Sequence, residues 1–202
     1  KLMPRVGRYQ MVIFWYLFGG FVVLGQYFVR IWAGEANADA YWLCLIMVLP
    51  LMIPLTQNTG IEIQRAKNRH KARSVIYILT SVIDIIISVA FIPICGYWAT
   101  AIGYIASITL GTGLFMNWYY QTHVGMDMFY FWKHMLPTLG LALCVIAVCL
   151  LGTWLMPVNS VLMFVVWGII YSVLYLSGAT RFSLTRQEQA KVVGKIGGRT
   201  KR

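Results

Sequence analysis

The sequence predicts an all-α polytopic membrane protein with about six transmembrane helices. Hydrophobic residues make up 59% of the 202-residue chain and charged residues only 11%, whereas soluble domains carry about 25% charged residues. The mean hydropathy is +0.70. The apolar residues are gathered in runs of roughly 20, the length of a helix that crosses a bilayer.

Six such runs can be marked along the chain. They cover about residues 11–32, 40–60, 74–96, 97–120, 135–156 and 158–177. Each should be a helix, because a segment in the hydrocarbon region must satisfy its own backbone hydrogen bonds. We therefore expect residues 1–178 to form a transmembrane helical bundle and residues 179–202 to form a basic cytoplasmic tail.

The basic residues predict the orientation. Of the 17 Lys and Arg residues, all except Arg30 lie in the N-terminal arm, the loops after the second and fourth spans, and the tail. The positive-inside rule places these segments, and hence both termini, in the cytoplasm. The net charge of +11 would also suit a nucleic-acid partner, but such proteins keep a polar surface, so none is expected.

One segment, EIQRAKNRHKAR at residues 62–73, carries five Lys or Arg residues. Alone it would fit a nucleic-acid patch, a localisation signal or a membrane-surface loop. Its place between two apolar runs favours the loop. Its charges would attract anionic membrane lipids, the predicted partner, by about 1 kcal/mol per basic residue near the surface.

No motif points to catalysis, a metal or a cofactor. The cysteines lie within or at the ends of spans and lack metal-ligand spacing with the histidines. The phosphate-binding, dinucleotide-binding, zinc-protease and serine-hydrolase motifs are not found. We expect a non-enzymatic protein without a cofactor.

Polar residues inside the third and fourth spans have two interpretations. Asp84 lies near mid-membrane, where an ionised group costs a few kcal/mol. It either contacts a proton, an ion or a substrate, or it forms a packing hydrogen bond, and both remain open. In the fourth span a strip of small residues favours close helix packing over a functional role. The strip consists of Thr100, Gly103, Ser107 and Gly111.

The first two spans carry further candidates. In the second span, Gln57 and Asn58 follow Pro50 and Pro54 within about one turn. Transporters break helices where amides face a cavity, and we favour this over a purely structural kink.

In the first span, Gln26 and Arg30 share a face. Arg30 is either a snorkelling anchor beside Trp32 or a cation for an anionic group such as a phosphate, which suits its planar fork.

Two segments resemble a known family. YFVRIWAGEANADAYWL, from Tyr27, resembles the place in bacterial polysaccharide flippases where a span ends in an apolar-Trp-x-Gly pattern. SVIDIIISVAFIPICGYWATAIGYIAS, from Ser81, resembles their paired spans, with Ile92-Pro93, a turn at Gly96 and then Ala-Thr-Ala. The resemblance covers most of residues 10–125. Asp84 stands where the family commonly carries Asn.

The resemblance implies the multidrug/oligosaccharidyl-lipid/polysaccharide exporter superfamily, with part of the second helix bundle of a MATE-like flippase fold. Such proteins move undecaprenyl-diphosphate-linked oligosaccharides across the bacterial cytoplasmic (inner) membrane for O-antigen, capsule or exopolysaccharide synthesis. This chain would be a C-terminal portion that needs the N-terminal bundle as its partner and does not transport alone. The groups available for the diphosphate and sugars are Arg30, Gln26, Gln57, Asn58 and Asp84.

Three alternatives remain. A multidrug exporter of the same fold would show a hydrophobic, acidic lumen. A membrane enzyme of glycan assembly would carry large external loops, whereas the external links here are short. A passive scaffold subunit is the third.

The predicted topology can be tested by cysteine labelling. In a cysteine-free background, an impermeant maleimide added to intact cells should label a cysteine at Asn37, on the external side, and not one at Asn68. Permeabilised cells provide the control, since both positions should then react. Labelling of position 68 and not of position 37 in intact cells would show that the orientation is inverted.

Overall fold

A computed structural model describes residues 2–66 and 71–183, and every regular element within these ranges is helical. Six helices are long and apolar enough to cross a membrane. They are α1 Met3–Ala33, α2 Glu35–Ala66, α3 Lys71–Cys95, α4 Trp98–Val124, α5 Met128–Leu155 and α6 Val161–Phe182. The predicted helical class and number of spans are confirmed.

Two helices extend beyond the residues predicted as spans. The first helix begins at Met3 instead of residue 11, since Pro4 is tolerated in a first helical turn. The predicted loop at residues 62–73 is largely helical, because α2 continues to Ala66 and α3 begins at Lys71. Lys67 to His70 and most of the predicted tail lie outside the described residues.

Helix α1 is the centre of the bundle and contacts α2, α5 and α6. Tyrosine hydroxyls from two of these helices donate to its backbone. Tyr41 of α2 bonds to the Val22 carbonyl at 2.7 Å, and Tyr175 of α6 bonds to the Val12 carbonyl at 2.9 Å. Tyr171 of α6 reaches the carbonyls of Trp15 and Tyr16, both at 3.0 Å.

Helices α3 and α4 form a tight hairpin at the edge of the bundle. The turn is made by Gly96, whose φ of 57° favours glycine, and its N–H bonds to the Ile92 carbonyl at 2.9 Å. Gly103 of α4 lies against Asp84 and Ser88, and Gly111 lies against Thr80. The small-residue strip thus forms the packing surface that the sequence predicts, although Thr100 is exposed.

Three of the spans are interrupted. Helix α2 is divided into Ala40–Val48, a 3₁₀ turn at Leu49–Leu51, Met52–Thr56 and Asn58–Ala66. Helix α4 contains π-helical turns at Thr109–Phe115 and Tyr120–Val124, and α5 is divided into Met128–Lys133 and Leu136–Leu155. Pro50 lies in the 3₁₀ turn of α2 and cannot donate a backbone hydrogen bond, which explains the change in helix type there.

The hairpin contact predicts the effect of enlarging Gly103. A Cβ added there would lie 2.6 Å from Asp84 Oδ1 and 2.7 Å from the Asp84 carbonyl oxygen. Gly103→Val should therefore lower the free energy of unfolding by about 1–3 kcal/mol, the usual cost of overpacking. Reversible unfolding in mixed micelles measures this change.

Gly140→Val is the matched control, because nothing lies within 4 Å of a Cβ added at this other helical glycine. Both variants replace a helical glycine by valine, so the change in helix propensity is the same. The difference in stability between them therefore reports the contact of position 103 with Asp84. Equal stability of both variants would contradict the close approach of α3 and α4.

Candidate functional site

The break in α2 places a glutamine inside the protein. Gln57, between the segments Met52–Thr56 and Asn58–Ala66, has φ −94° and ψ 6° and leaves the helical conformation. Its carbonyl accepts the N–H of Gly60 at 2.8 Å, which starts the next helical segment. The Gln57 side chain is only 2% exposed, so its amide depends on partners within the protein.

Asn117 of α4 is that partner and joins three spans. Its Oδ1 accepts from Gln57 Nε2 at 2.8 Å and from Trp132 Nε1 of α5 at 3.4 Å. Its Nδ2 donates to the Gly113 carbonyl at 2.6 Å, within the π-helical turn. We call these three side chains, Gln57, Asn117 and Trp132, the amide junction.

The amide junction is not fully satisfied. Gln57 Oε1 is buried and has no hydrogen-bond partner among the described residues. A buried polar atom without a partner costs about 1–3 kcal/mol. Such groups are rare in folded proteins and often mark a functional position. Here the unpartnered acceptor lies beside an interrupted helix, where transporters place their substrate contacts.

An apolar groove of about 520 Å³ lies between α1 and α2. Its lining residues are Gln10, Ile13, Phe14, Leu17, Phe18, Phe21, Cys44, Val48, Leu51, Leu55 and Asn58. None of them is charged. The eleven residue steps from Gln10 to Phe21 correspond to roughly 16 Å along the helix axis.

We call the end of the bundle that holds the N-terminus of α1, the C-terminus of α2 and the N-terminus of α3 the basic side, because the sequence is rich in Lys and Arg there. The two amides of the groove lie at this end. Gln10 is close to the N-terminus of α1, and Asn58 is in the second half of α2. Gln10 Oε1 is buried without a hydrogen-bond partner in the described part of the chain. The groove therefore combines a long apolar wall with hydrogen-bonding capacity at one end, an arrangement that fits an amphiphile.

The structure separates the five predicted site residues into three places. Gln57 belongs to the amide junction, and its neighbour Asn58 lines the groove. Gln26 and Arg30 are exposed near the opposite end of α1. Gln26 lies sixteen residues beyond Gln10 in the same helix, or about 24 Å along its axis.

Asp84 occupies the third place, at the crossing of α3 and α4. Its Oδ1 accepts the Ser88 hydroxyl at 3.2 Å, and the side chain packs on Gly103. These contacts fit the packing interpretation of Asp84. A role of Arg30, Gln26 and Asp84 in substrate binding stays a prediction.

Sequence reasoning did not include three of the site residues. These residues are Asn117, Gln10 and Trp132. An Asn within an apolar run is a visible signal, since a polar side chain in a span needs a partner. The identity of that partner, 60 residues away in α2, is a property of the fold.

No group of three or more His, Cys, Asp or Glu residues among residues 2–66 and 71–183 could hold a metal ion. No protein-family profile, curated protein or solved structure matches the chain. The family resemblance therefore remains a prediction from the quoted motifs.

The amide junction predicts a coupled stability effect. Asn117→Ala should lower the free energy of unfolding by about 1–3 kcal/mol, because the buried Gln57 amide loses its acceptor. Adding Gln57→Leu to that variant should restore part of the loss, since no buried amide is then left unpaired. Unfolding of the two single variants and the double variant measures the coupling.

Asn37→Ala is the control, because the Asn37 amide bonds to the Ala33 carbonyl at an exposed position. A change within about 0.5 kcal/mol is expected there. Strict additivity of Asn117→Ala and Gln57→Leu would contradict the junction.

Proposed function

We propose that the chain is part of a flippase that moves undecaprenyl-diphosphate-linked oligosaccharide across the bacterial cytoplasmic membrane for polysaccharide synthesis. The observation that carries the proposal is the apolar groove between α1 and α2, with unpartnered amide capacity at its basic-side end. The family motifs at Tyr27 and Ser81 provide the second, independent support.

The groove is assigned to the apolar tail of the lipid-linked substrate. A polyprenyl chain needs a continuous apolar wall, and Phe14, Phe18 and Phe21 supply one along α1. Gln10 and Asn58 at the end of this wall can hydrogen-bond the polar head where the tail begins. Because the groove faces outward from the described helices, the tail can enter laterally from the bilayer.

The amide junction is assigned to the conformational step. Alternating access requires a helix that can change shape near the site, and interrupted spans are the usual device. The break at Gln57 and the π-helical turn before Asn117 are joined by one hydrogen bond. A change at the groove can therefore be passed from α2 to α4 through this bond.

Export of a small apolar compound is the second candidate function. One observation favours it: no cation lines the groove, whereas a diphosphate head needs one. In the flippase proposal Arg30, at the external end of α1, or the N-terminal bundle supplies that charge. The same experiment distinguishes the two functions.

The groove assignment predicts that a bulky residue inside it blocks transport. Leu17 lines the groove and is 64% exposed, so Leu17→Trp fills the groove without disturbing the buried core. In the full-length transporter, this variant should reduce complementation of a flippase-null strain at least tenfold. Surface polysaccharide and accumulated lipid-linked oligosaccharide are measured at equal membrane abundance of the protein.

Leu79→Trp is the matched control, because Leu79 is 57% exposed on α3 and does not line the groove. This variant should complement like the wild type. Equal complementation by Leu17→Trp would remove the groove from the transport path. The wild-type protein could instead leave the polysaccharide of the null strain unchanged and lower the sensitivity of that strain to apolar drugs. That result would favour export of a small apolar compound.

A further inference from the structure

A second, polar cavity of about 590 Å³ lies between the basic-side ends of α2 and α3. Its lining residues are Ile61, Gln64, Arg65, Arg73, Ser74 and Tyr77. It is separate from the groove, and no residue lines both. Its role is independent of the proposed function.

Gln64 is an unusual residue to find in the wall of this cavity. Its side chain is 1% exposed, yet neither Oε1 nor Nε2 has a hydrogen-bond partner in the described part of the chain. An amide with both ends unsatisfied carries a large desolvation cost. A ligand in the cavity would supply the missing partners.

Arg73 adds a cation with an open donor. Its guanidinium lies over the Tyr77 ring, 4.8 Å from the centroid, and its Nη2 donates to the Tyr77 hydroxyl at 2.6 Å. Its Nη1 is buried and has no hydrogen-bond partner among the described residues. The Arg73 guanidinium is partly buried, and leaving its buried Nη1 without an acceptor is costly.

Among the described residues, Arg65 at the rim of the cavity already has an acidic partner. Arg65 Nη1 lies 3.0 Å from Glu62 Oε1, and both side chains are about two-thirds exposed, at 67% and 66%. Arg65 is therefore solvated and held in a weak, exposed ion pair, so it carries no buried donor that lacks a partner. The demand for an anion rests on Arg73, with Gln64 and the Ser74 hydroxyl as further hydrogen-bonding groups.

We propose that this cavity binds the phosphate group of an anionic phospholipid from the leaflet on the basic side of the membrane. The planar guanidinium fork suits phosphate oxygens, and the Gln64 Nε2 amide can donate to the same group. The cavity lies where two spans end on the side rich in Lys and Arg. Basic cavities between transmembrane helices at this depth are typical lipid-headgroup sites.

The experiment compares three additives on the purified protein in neutral detergent. Thermal unfolding is followed with phosphatidylglycerol, phosphatidylcholine or inorganic phosphate, because a ligand that binds only the folded state raises the melting temperature. Phosphatidylglycerol should stabilise the wild type, and the other two should not. Stabilisation by inorganic phosphate alone would assign the site to a soluble phosphate and overturn the lipid assignment. No stabilisation by any additive would overturn the site.

Three variants test the named groups. Arg73→Gln should weaken the apparent affinity for phosphatidylglycerol about tenfold, since it removes a charge-assisted hydrogen bond. Gln64→Leu should weaken it about threefold and should raise the melting temperature in lipid-free detergent, because no unsatisfied amide is left buried. Lys133→Gln removes an exposed charge elsewhere on the same side and should leave the affinity unchanged.

If Arg73→Gln fails to fold, the Gln64→Leu variant still tests the proposal. If Gln64→Leu binds the lipid with unchanged affinity, Gln64 does not contact the lipid, and the proposed binding site is overturned. An equal loss of affinity in Lys133→Gln would mean that the lipid responds to the general surface charge, which also overturns it.

Discussion

The hydrogen bonds from tyrosine hydroxyls to the backbone of α1 hold the arrangement on which the other features depend. In a bilayer the lipid is as apolar as the side chains, so burial alone does not select which helices pack together. Close packing and interhelical hydrogen bonds make that selection. Hydroxyls from α2 and α6 donate to carbonyls of α1, each of which can accept a second hydrogen bond; the donors are Tyr41, Tyr171 and Tyr175. These bonds from two neighbouring helices place α1 at the centre.

These bonds also determine where the groove lies. Tyr41 fixes the N-terminal end of α2 against α1, at Val22. Further along, α2 changes to a 3₁₀ turn at Leu49–Leu51 and then breaks at Gln57. At the other end Gly7 of α1 lies close to the Thr56 carbonyl, so the two helices are in contact at both ends and the groove lies along the stretch from Cys44 to Asn58. A continuous α2 would present a different face to α1 along this length.

The sequence was most informative where local chemistry decides the structure. The length of the apolar runs predicts six helices, and Gly103 and Gly111 predict close packing. Pro50 predicts an interruption of α2. Each of these three follows from steric or hydrogen-bonding properties of a few neighbouring residues, whereas the turn at Gly96 was implied by the family resemblance.

The contacts between distant helices could not be predicted in the same way. Lipid-facing and buried positions are both apolar in a membrane, so hydrophobic periodicity does not separate Ile85, which is 63% exposed, from Tyr171, which is 2% exposed. The extension of the helices past the apolar runs was not predicted either, since charged residues such as Arg65 and Lys71 continue the helices there. The pairing of Gln57 with Asn117 depends on the packing of α2 against α4.

The unsatisfied amides reveal an asymmetry between the two ends of the bundle. Near the N-terminal end of α2, the tyrosine at position 41 pairs with a backbone acceptor. On the basic side, Gln10, Gln57 and Gln64 each keep a buried amide atom without a partner in the described part of the chain. Retaining three such groups is costly for stability, and apolar replacements would remove that cost. The three amides lie in the groove, the amide junction and the polar cavity, so the proposed lipid-tail and phosphate sites would each supply a partner to a group that the fold leaves unsatisfied.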